Sequence, residues 1–315
     1  MPELPEVQTI VNDLSKKIIG RRIVDIWFDA PKIITLRLTQ GDGEQSRTIK
    51  KPKPKDFKKQ IKGLRIQEVG RRWKNILIYL TKTKNQKPKT KNYILLIHQK
   101  MTGHLLVGKW RIVKNRPVSP LKGPLREKVN DYIHLIFYLD NGYQLALSDL
   151  RKFAKVMLGE KEEIEKLPDL AEIGPEPLEA SFKVDKFVSL ISSQKRKVKQ
   201  VLMDQAVIAG IGNIYSDEIL WDARIHPLRT AQSLKPRELR NLYVAIRQVF
   251  KKALKLRGTS ISDFRDTAGK AGFYGEKRLV YQREGEKCLR CGEKIKRIKI
   301  GGRSTHYCPH CQILK

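Results

Sequence analysis

The chain has 315 residues, with 65 Lys and Arg against 33 Asp and Glu, a net charge of +32 at pH 7. That length predicts two domains, and 40% hydrophobic residues are enough for real cores, which excludes a disordered basic tail. The four cysteines all fall in the last 28 residues, which excludes a disulfide scaffold spread through the fold. No apolar run approaches the ~18 residues of a membrane span. The start MPELPEV, with two Glu and no Lys or Arg, carries no targeting signal. These features predict a cytoplasmic protein that binds no membrane and meets a polyanion.

In chain order, Val7, Ile10, Val11, Leu14 and Ile18 recur at helical spacing, with Pro5 and Glu6 before them and Gly20 as a stop. Apolar or alternating runs follow at Ile33–Leu38, Ile76–Leu80, Tyr93–His98, His134–Leu139, Gln144–Leu147 and Lys155–Leu158. So many short strands predict a sandwich or barrel over residues 1–158. The stretches 82–92 and 111–130 read as exposed basic insertions between strands. Residues 159–185, acidic and proline-rich at first, read as a linker. Beyond it the period turns helical: Phe187, Leu190 and Ile191, then Val198, Val201 and Leu202. A long stripe follows from Leu239 to Ala253, opened by Ser233 and Pro236. From about 279 the chain is strand and turn built around the cysteines.

The charge is sorted along the chain. Residues 50–59 hold six Lys and one Asp, residues 82–91 five Lys and no acid, and residues 287–303 seven basic side chains. Residues 160–179 reverse this with eight acids and two Lys. Like-charge blocks repel each other unless phosphates relieve them, so nucleic acid is the predicted partner.

Cys288-x2-Cys291 and Cys308-x2-Cys311 stand 16 residues apart. Two thiolate pairs at this spacing close a tetrahedron around one Zn2+. Four protein ligands leave no open position, so the zinc is structural and organises a ribbon too small to hold its own core. His306 and His310 are superfluous once four sulfurs are counted.

MPELPEV at the start, DLRKF at 149–153, IGNIY at 211–215, GRSTHYC at 302–308 and the terminal four-cysteine signature occur in this order. Together they resemble the formamidopyrimidine-DNA glycosylase family of bifunctional base-excision enzymes, across essentially the whole chain. The resemblance implies an α+β fold. A catalytic N-terminal β-sandwich with a flanking helix would span 1–158. A helical helix–two-turns–helix domain would span 186–278, and a β-hairpin zinc finger 279–315. It implies a monomer acting on damaged double-stranded DNA, associated with the nucleoid. Excision would be of oxidised purines (8-oxoguanine and formamidopyrimidines), followed by β,δ-elimination.

The implied chemistry starts at Pro2. An α-amine titrates near 7.7–8.0, against ~10.4 for a lysine, so far more of it is nucleophilic at neutral pH. Its iminium cannot lose charge by deprotonation and stays an electron sink. Glu3 matches the family's general acid. Lys74, in RRWKN, matches the lysine assisting the first elimination, and Arg303 the arginine associated with the second. Glu6 is expected to start the helix and line the base pocket. Met101 lies at the void-filling position, and Arg151 and Phe153 match the pair replacing the orphan base, as extrusion requires. Asn213, following two glycines, is expected to cap a helix and bind phosphate, with Lys195 and Lys199 as nearby cations. Segment 258–281 resembles the loop that closes over oxidised guanine.

Gln8 departs from the family pattern in replacing a frequent acid. Tyr132 stands where many members place a DNA-contacting His, with His134 two residues on. Ala154 follows Phe153 where Gly is usual, and the two basic insertions are extra. An endonuclease-eight-like enzyme for oxidised pyrimidines is one alternative. A non-catalytic nucleic-acid-binding zinc protein is the other, though it gives no reason for the MPELPE start.

Overall fold

A computed structural model describes residues 2–39, 46–82, 91–261 and 263–314. The basic insertion at 82–92 therefore lies, except for its ends, outside the described residues. The chain forms two compact units. The first comprises Pro2, Glu6–Ala171 and Thr259–Gly272; the second comprises Glu3–Pro5, Glu172–Gly258 and the chain from Phe273 onward.

Helix α1 (Leu4–Lys17) begins one residue before Pro5, close to the start expected at Pro5 and Glu6. Pro5 is tolerated there because first-turn amides have no intrahelical acceptor. Glu6 in the first turn and Lys16 and Lys17 in the last complement the helix dipole. In the first unit, β1 (Ile23–Phe28), β2 (Ile34–Thr39) and β3 (Ser46–Lys50) lead to α2 (Pro54–Ile61). There follow β4 (Arg65–Arg72), β5 (Asn75–Lys82), β6 (Lys91–His98) and β7 (His104–Gly108). After β8 (Arg111–Val113) and β9 (Arg116–Val118) come β10 (Ile133–Leu139), β11 (Gln144–Ser148) and β12 (Lys155–Glu160), then α3 (Lys161–Glu165) and α4 (Pro168–Ala171).

These strands build a four-stranded sheet, β1-β10-β11-β7, and a six-stranded sheet, β3-β2-β12-β6-β5-β4. One core takes side chains from both: Leu135, Phe137 and Leu145 from the first, and Leu36, Ile78 and Leu95 from the second. The stripe of α1 (Val7, Ile10, Leu14) and Phe57 and Ile61 of α2 join it. A β-sandwich with a flanking helix is thus observed. The outer face of the smaller sheet has its own cluster, including Leu106, Ile133, Ile136 and Trp110. The Lys-rich 50–59 run contains α2, with Pro54 in its first turn and Phe57 and Ile61 four apart. Within 111–130, expected as an exposed basic loop, β8 and β9 pair as a hairpin and two short 3-10 turns follow.

In the second unit, α5 (Val184–Ser192), α6 (Val198–Met203), α7 (Asn213–Asp222) and α8 (Pro236–Lys255) enclose a core. The stripe of α8, Leu239 to Ala253, packs there against Phe187, Val201, Ile219 and Leu4. Lys235 is the residue preceding α8, and its amide donates to Glu238 at 2.8 Å. Ser233, expected to open this helix, ends a separate short turn. β13 (Lys296–Ile300) and β14 (Arg303–Tyr307) form the terminal hairpin. No helix among the described residues is long and apolar enough to cross a membrane.

Candidate active site and nucleic-acid interface

The expected site residues divide between the units. In the second unit the start of the chain is built into the start of α7. The Leu4 amide donates to the Gly210 carbonyl at 3.0 Å. The buried Glu3 carboxylate accepts the amides of Gly212 at 2.7 Å, Ile214 at 2.9 Å and Tyr215 at 3.4 Å. Glu3 thus satisfies amides that have no partner inside the helix. This corrects the expectation that Asn213 caps α7. Asn213 is its first residue, and its side-chain amide donates to the Ser304 carbonyl at 3.1 Å. The glycines serve approach as well as turning. A Cβ at Gly212 would lie 2.5 Å from Glu3 Oε1, and one at Gly210 would lie 2.6 Å from Leu4 Cβ.

Lys199 is fully buried, its ammonium 2.5 Å from Asp217 Oδ1, so it is no surface cation for a phosphate. Burial lowers its pKa, against the opposing pull of Asp217 and Glu3. Asp217 also accepts the His306 amide at 2.8 Å, tying α7 to β14. Its neighbour Glu218 accepts amides of Leu279, Val280 and Tyr281 at 2.9 Å each. Burial raises the Glu218 pKa, and those amides oppose the rise. Arg303 is exposed at the start of β14 and, with Lys199, Arg196 and Gln200, lines a cavity of about 230 Å³. Lys195 is exposed.

In the first unit, Pro2 is buried two residues before α1. Glu6 Oε1 accepts the Thr259 amide at 2.7 Å. Segment 259–272 is further anchored: Phe264 lies in the core, and Thr267 accepts the Val107 amide at 2.8 Å. Lys74 is buried in the two-residue turn joining β4 to β5. Trp73 precedes it with φ +57°, an uncommon conformation for a bulky residue. Lys74 lies within electrostatic reach of His98 at the end of β6. Burial, then Lys100, Lys74 and Lys155, lower the His98 pKa to about 3. The imidazole is therefore neutral near pH 7.

Met101, Arg151 and Phe153 are all exposed, and the Arg151 guanidinium lies 3.4 Å from Met101 Sδ. Both loops hang on Asp149, which is fully buried. It accepts the Thr102 hydroxyl, the Ala154 amide at 2.7 Å and the Arg151 amide at 3.3 Å. Ala154 accordingly fits without strain: its methyl is in the core, and it is not among the residues with positive φ. Gln8, in place of an acid, accepts from Arg71 at 2.8 Å. Tyr132 and His134 line a cleft of about 680 Å³, and His134 Nδ1 lies 2.8 Å from Asp29. Sequence reasoning missed Asp149, Thr102, His98, Asp217 and Glu218. The available signal was their adjacency to motifs: Asp149 opens DLRKF, and the acid pair follows IGNIY.

The four cysteine sulfurs lie within 4.8 Å of one another. Cys288–Cys311 is 3.9 Å and Cys291–Cys308 3.5 Å. A tetrahedral zinc with bonds of ~2.3 Å requires edges of ~3.8 Å, whereas a disulfide requires ~2.05 Å. The donor set therefore fits one structural zinc. Trp221 Nε1 donates to Cys288 Sγ at 3.4 Å, and His306 faces Asp217 instead of the sulfurs.

Three family models match: the formamidopyrimidine-DNA glycosylase N-terminal domain over residues 1–156, the H2TH domain of that glycosylase over 173–265, and a zinc finger found in FPG and IleRS over 285–313. A formamidopyrimidine-DNA glycosylase of Pelotomaculum thermopropionicum is 38% identical, covering 100% of both chains. That of Desulforamulus reducens is 36% identical over the same shares. Among solved structures, a Lactococcus lactis Fpg mutant with Fapy-dG-containing DNA matches at a TM-score of 0.78 and 30% identity, covering 99% of this chain and 100% of that one. The same organism's Fpg with oxidised-pyrimidine DNA matches at 0.77 and 30%, with the same coverage.

Proposed function

Because the chain belongs to the formamidopyrimidine-DNA glycosylase family, we propose that it excises oxidised purines from duplex DNA and then cleaves the strand by β,δ-elimination. The observation that carries this reading is the chain's start. Pro2 is followed directly by a buried carboxylate fixed by amides of α7, which gives a nucleophile and a proton carrier one peptide unit apart.

With Met1 removed, the Pro2 amine attacks C1′ of the damaged nucleotide. The C1′–base bond breaks, its electron pair leaving with the base. The N–H proton of the attacking amine passes to the Glu3 carboxylate, which delivers it to the ring oxygen as the C1′–O4′ bond breaks. The sugar opens, nitrogen and C1′ are left joined as an iminium, and the departed base takes its proton from water. Loss of a C2′ proton then expels the 3′ phosphate, and a second elimination expels the 5′ phosphate. Lys74 would hold the lesion phosphate in the first elimination and Arg303 would serve the second. Met101, Arg151 and Phe153 are exposed as a wedge needs to be. Asn213 and Lys195 would bind backbone phosphate, and Glu6 would act on the base pocket through the Thr259 segment it holds.

Borohydride trapping on an 8-oxoguanine duplex tests the reading, with an oxidised-pyrimidine duplex alongside it. The expected result is a covalent adduct, stronger on oxidised guanine, that disappears when a tag remains ahead of Pro2 while DNA binding persists. A tagged protein that still forms adduct would refute the amine assignment.

A further inference from the structure

The proposed reaction makes no use of the β8–β9 ribbon on the first unit. Between Lys109 and Arg126 there are six basic residues and no acid. The ribbon turns through Lys114 and Asn115 at φ +46° and +62°, both left-handed as a tight hairpin requires. Pairing of Arg111 with Val118 and Val113 with Arg116 puts these four residues on one face. All four are exposed, Val113 by 51% and Val118 by 46%. Two solvent-facing valines between two arginines make a poor free surface and a good nucleic-acid one. The guanidiniums suit phosphates, the aliphatic groups suit deoxyribose faces, and a two-stranded ribbon fits a DNA groove.

A second observation says where that DNA would run. Arg116, Pro117 and Val118 form one wall of the 680 Å³ cleft, and Arg126, Lys128 and Lys152 line it with them. Its acids are Asp29, 2.8 Å from His134 Nδ1, and Asp131. Lys152 sits between Arg151 and Phe153 in the chain, with φ +54°. The cleft is therefore continuous with the loop assigned to the orphan base.

We propose that the β8–β9 ribbon and the cleft it walls form a second phosphate-binding site, gripping the undamaged strand beside the orphan base. The strand assignment rests on the reading of Arg151 and Phe153 given above; the phosphate chemistry does not.

The test uses the full chain carrying Arg111→Gln, Lys114→Gln and Arg116→Gln together, with Arg116→Gln alone as a milder variant. Affinity against salt and hydroxyl-radical footprints of each strand are measured on an 8-oxoguanine duplex and an undamaged one. The salt slope should become shallower by roughly 2–3, at ~0.9 per phosphate, in the triple variant and by about 1 in the single. Protection should be lost on the undamaged strand alone. An unchanged slope, as a protein-binding ribbon would give, overturns the proposal, and so does protection lost only from the damaged strand. If the unaltered chain itself failed to trap the lesion, the glycosylase reading would fall. The slope on undamaged duplex would still decide whether the ribbon binds phosphate.

Discussion

Replacing Gly212 with alanine should dislodge Glu3 without altering Glu3 itself. Gly212 has φ −125°, which any residue adopts, so the substitution carries no torsional penalty. The added Cβ would lie 2.5 Å from Glu3 Oε1. Glu3 Cδ would lie at 2.4 Å and Cγ at 2.8 Å as well, and none of these three nearest atoms is backbone, so the whole buried side chain must swing away from α7. The loss is then a helix cap, about 1–2 kcal/mol, with the charge–dipole interaction worth up to ~2 kcal/mol more in a buried setting. A few degrees of melting temperature per kcal/mol are expected for a unit of this size. If the displaced carboxylate is the general acid, single-turnover excision should fall ~100-fold or more, about 2.7 kcal/mol on the barrier. Glu3→Gln supplies the other edge of a double-mutant cycle. Both changes act through one group, so the double variant should lose little more than the worse single one. Melting and excision within error of the unaltered chain would refute the packing argument. Multiplicative losses would show that Gly212 acts through something other than Glu3.

Asp149→Asn keeps one acceptor and turns the other into a donor, which must face either the Ala154 amide or the Arg151 amide, costing ~1–3 kcal/mol; lesion-duplex affinity should fall with zinc content unchanged, and unchanged affinity would show that the loops do not depend on Asp149. His98 has a folded pKa of about 3 against ~6.5 when unfolded, so the unfolded chain binds the extra proton between those values. Its stability contribution is full above about pH 6.5 and declines by up to ~1.4 kcal/mol per pH unit as pH falls toward 3; His98→Gln should flatten a melting-versus-pH series there, and an identical series would overturn the burial argument. Without metal, burial and the neighbouring thiols of Cys291 and Cys308 push the Cys311 thiol up to about 12, so zinc must displace protons to bind. Zinc retention should fall as pH falls, read by a chromophoric chelator together with loss of ordered structure in the terminal hairpin; metal release independent of pH would argue against thiolate ligation.

The strands with continuous apolar runs were legible in the sequence because both faces of β10 and β11 are covered, leaving no polar alternation to interpret. β4 was not, since Arg65–Arg72 contributes only Ile66 and Val69 to the core. α2 was hidden because its lysines dominate the composition while two residues four apart do the packing. At the site, sequence gives chemistry better than partnership. Cysteine spacing identified the metal set, because short turns fix sulfur geometry locally. The cap on α7 lies 209 residues from the amide it accepts, and no local pattern contains that distance. Asn213 was the natural local choice, but its preceding glycine left a space that a distant carboxylate fills.

Glu3, Asp149 and Asp217 share a design that explains why the motifs occur together. Each is a buried carboxylate joining two separated segments: MPELPE to IGNIY through Glu3, the Met101–Thr102 turn to DLRKF through Asp149, and the residues just after IGNIY to GRSTHYC through Asp217. In a chain with 65 basic residues, a carboxylate on the surface would mostly weaken attraction to a polyanion. Buried against amides, a hydroxyl or Lys199, it positions cationic and apolar groups without cancelling the surface field. Burial of such groups is tolerable only when their lone pairs are occupied, so each joint holds only while both of its segments are intact. A family resemblance resting on several motifs at once is then a statement about mutually dependent hydrogen-bonded joints, which independent coincidences of sequence would not produce.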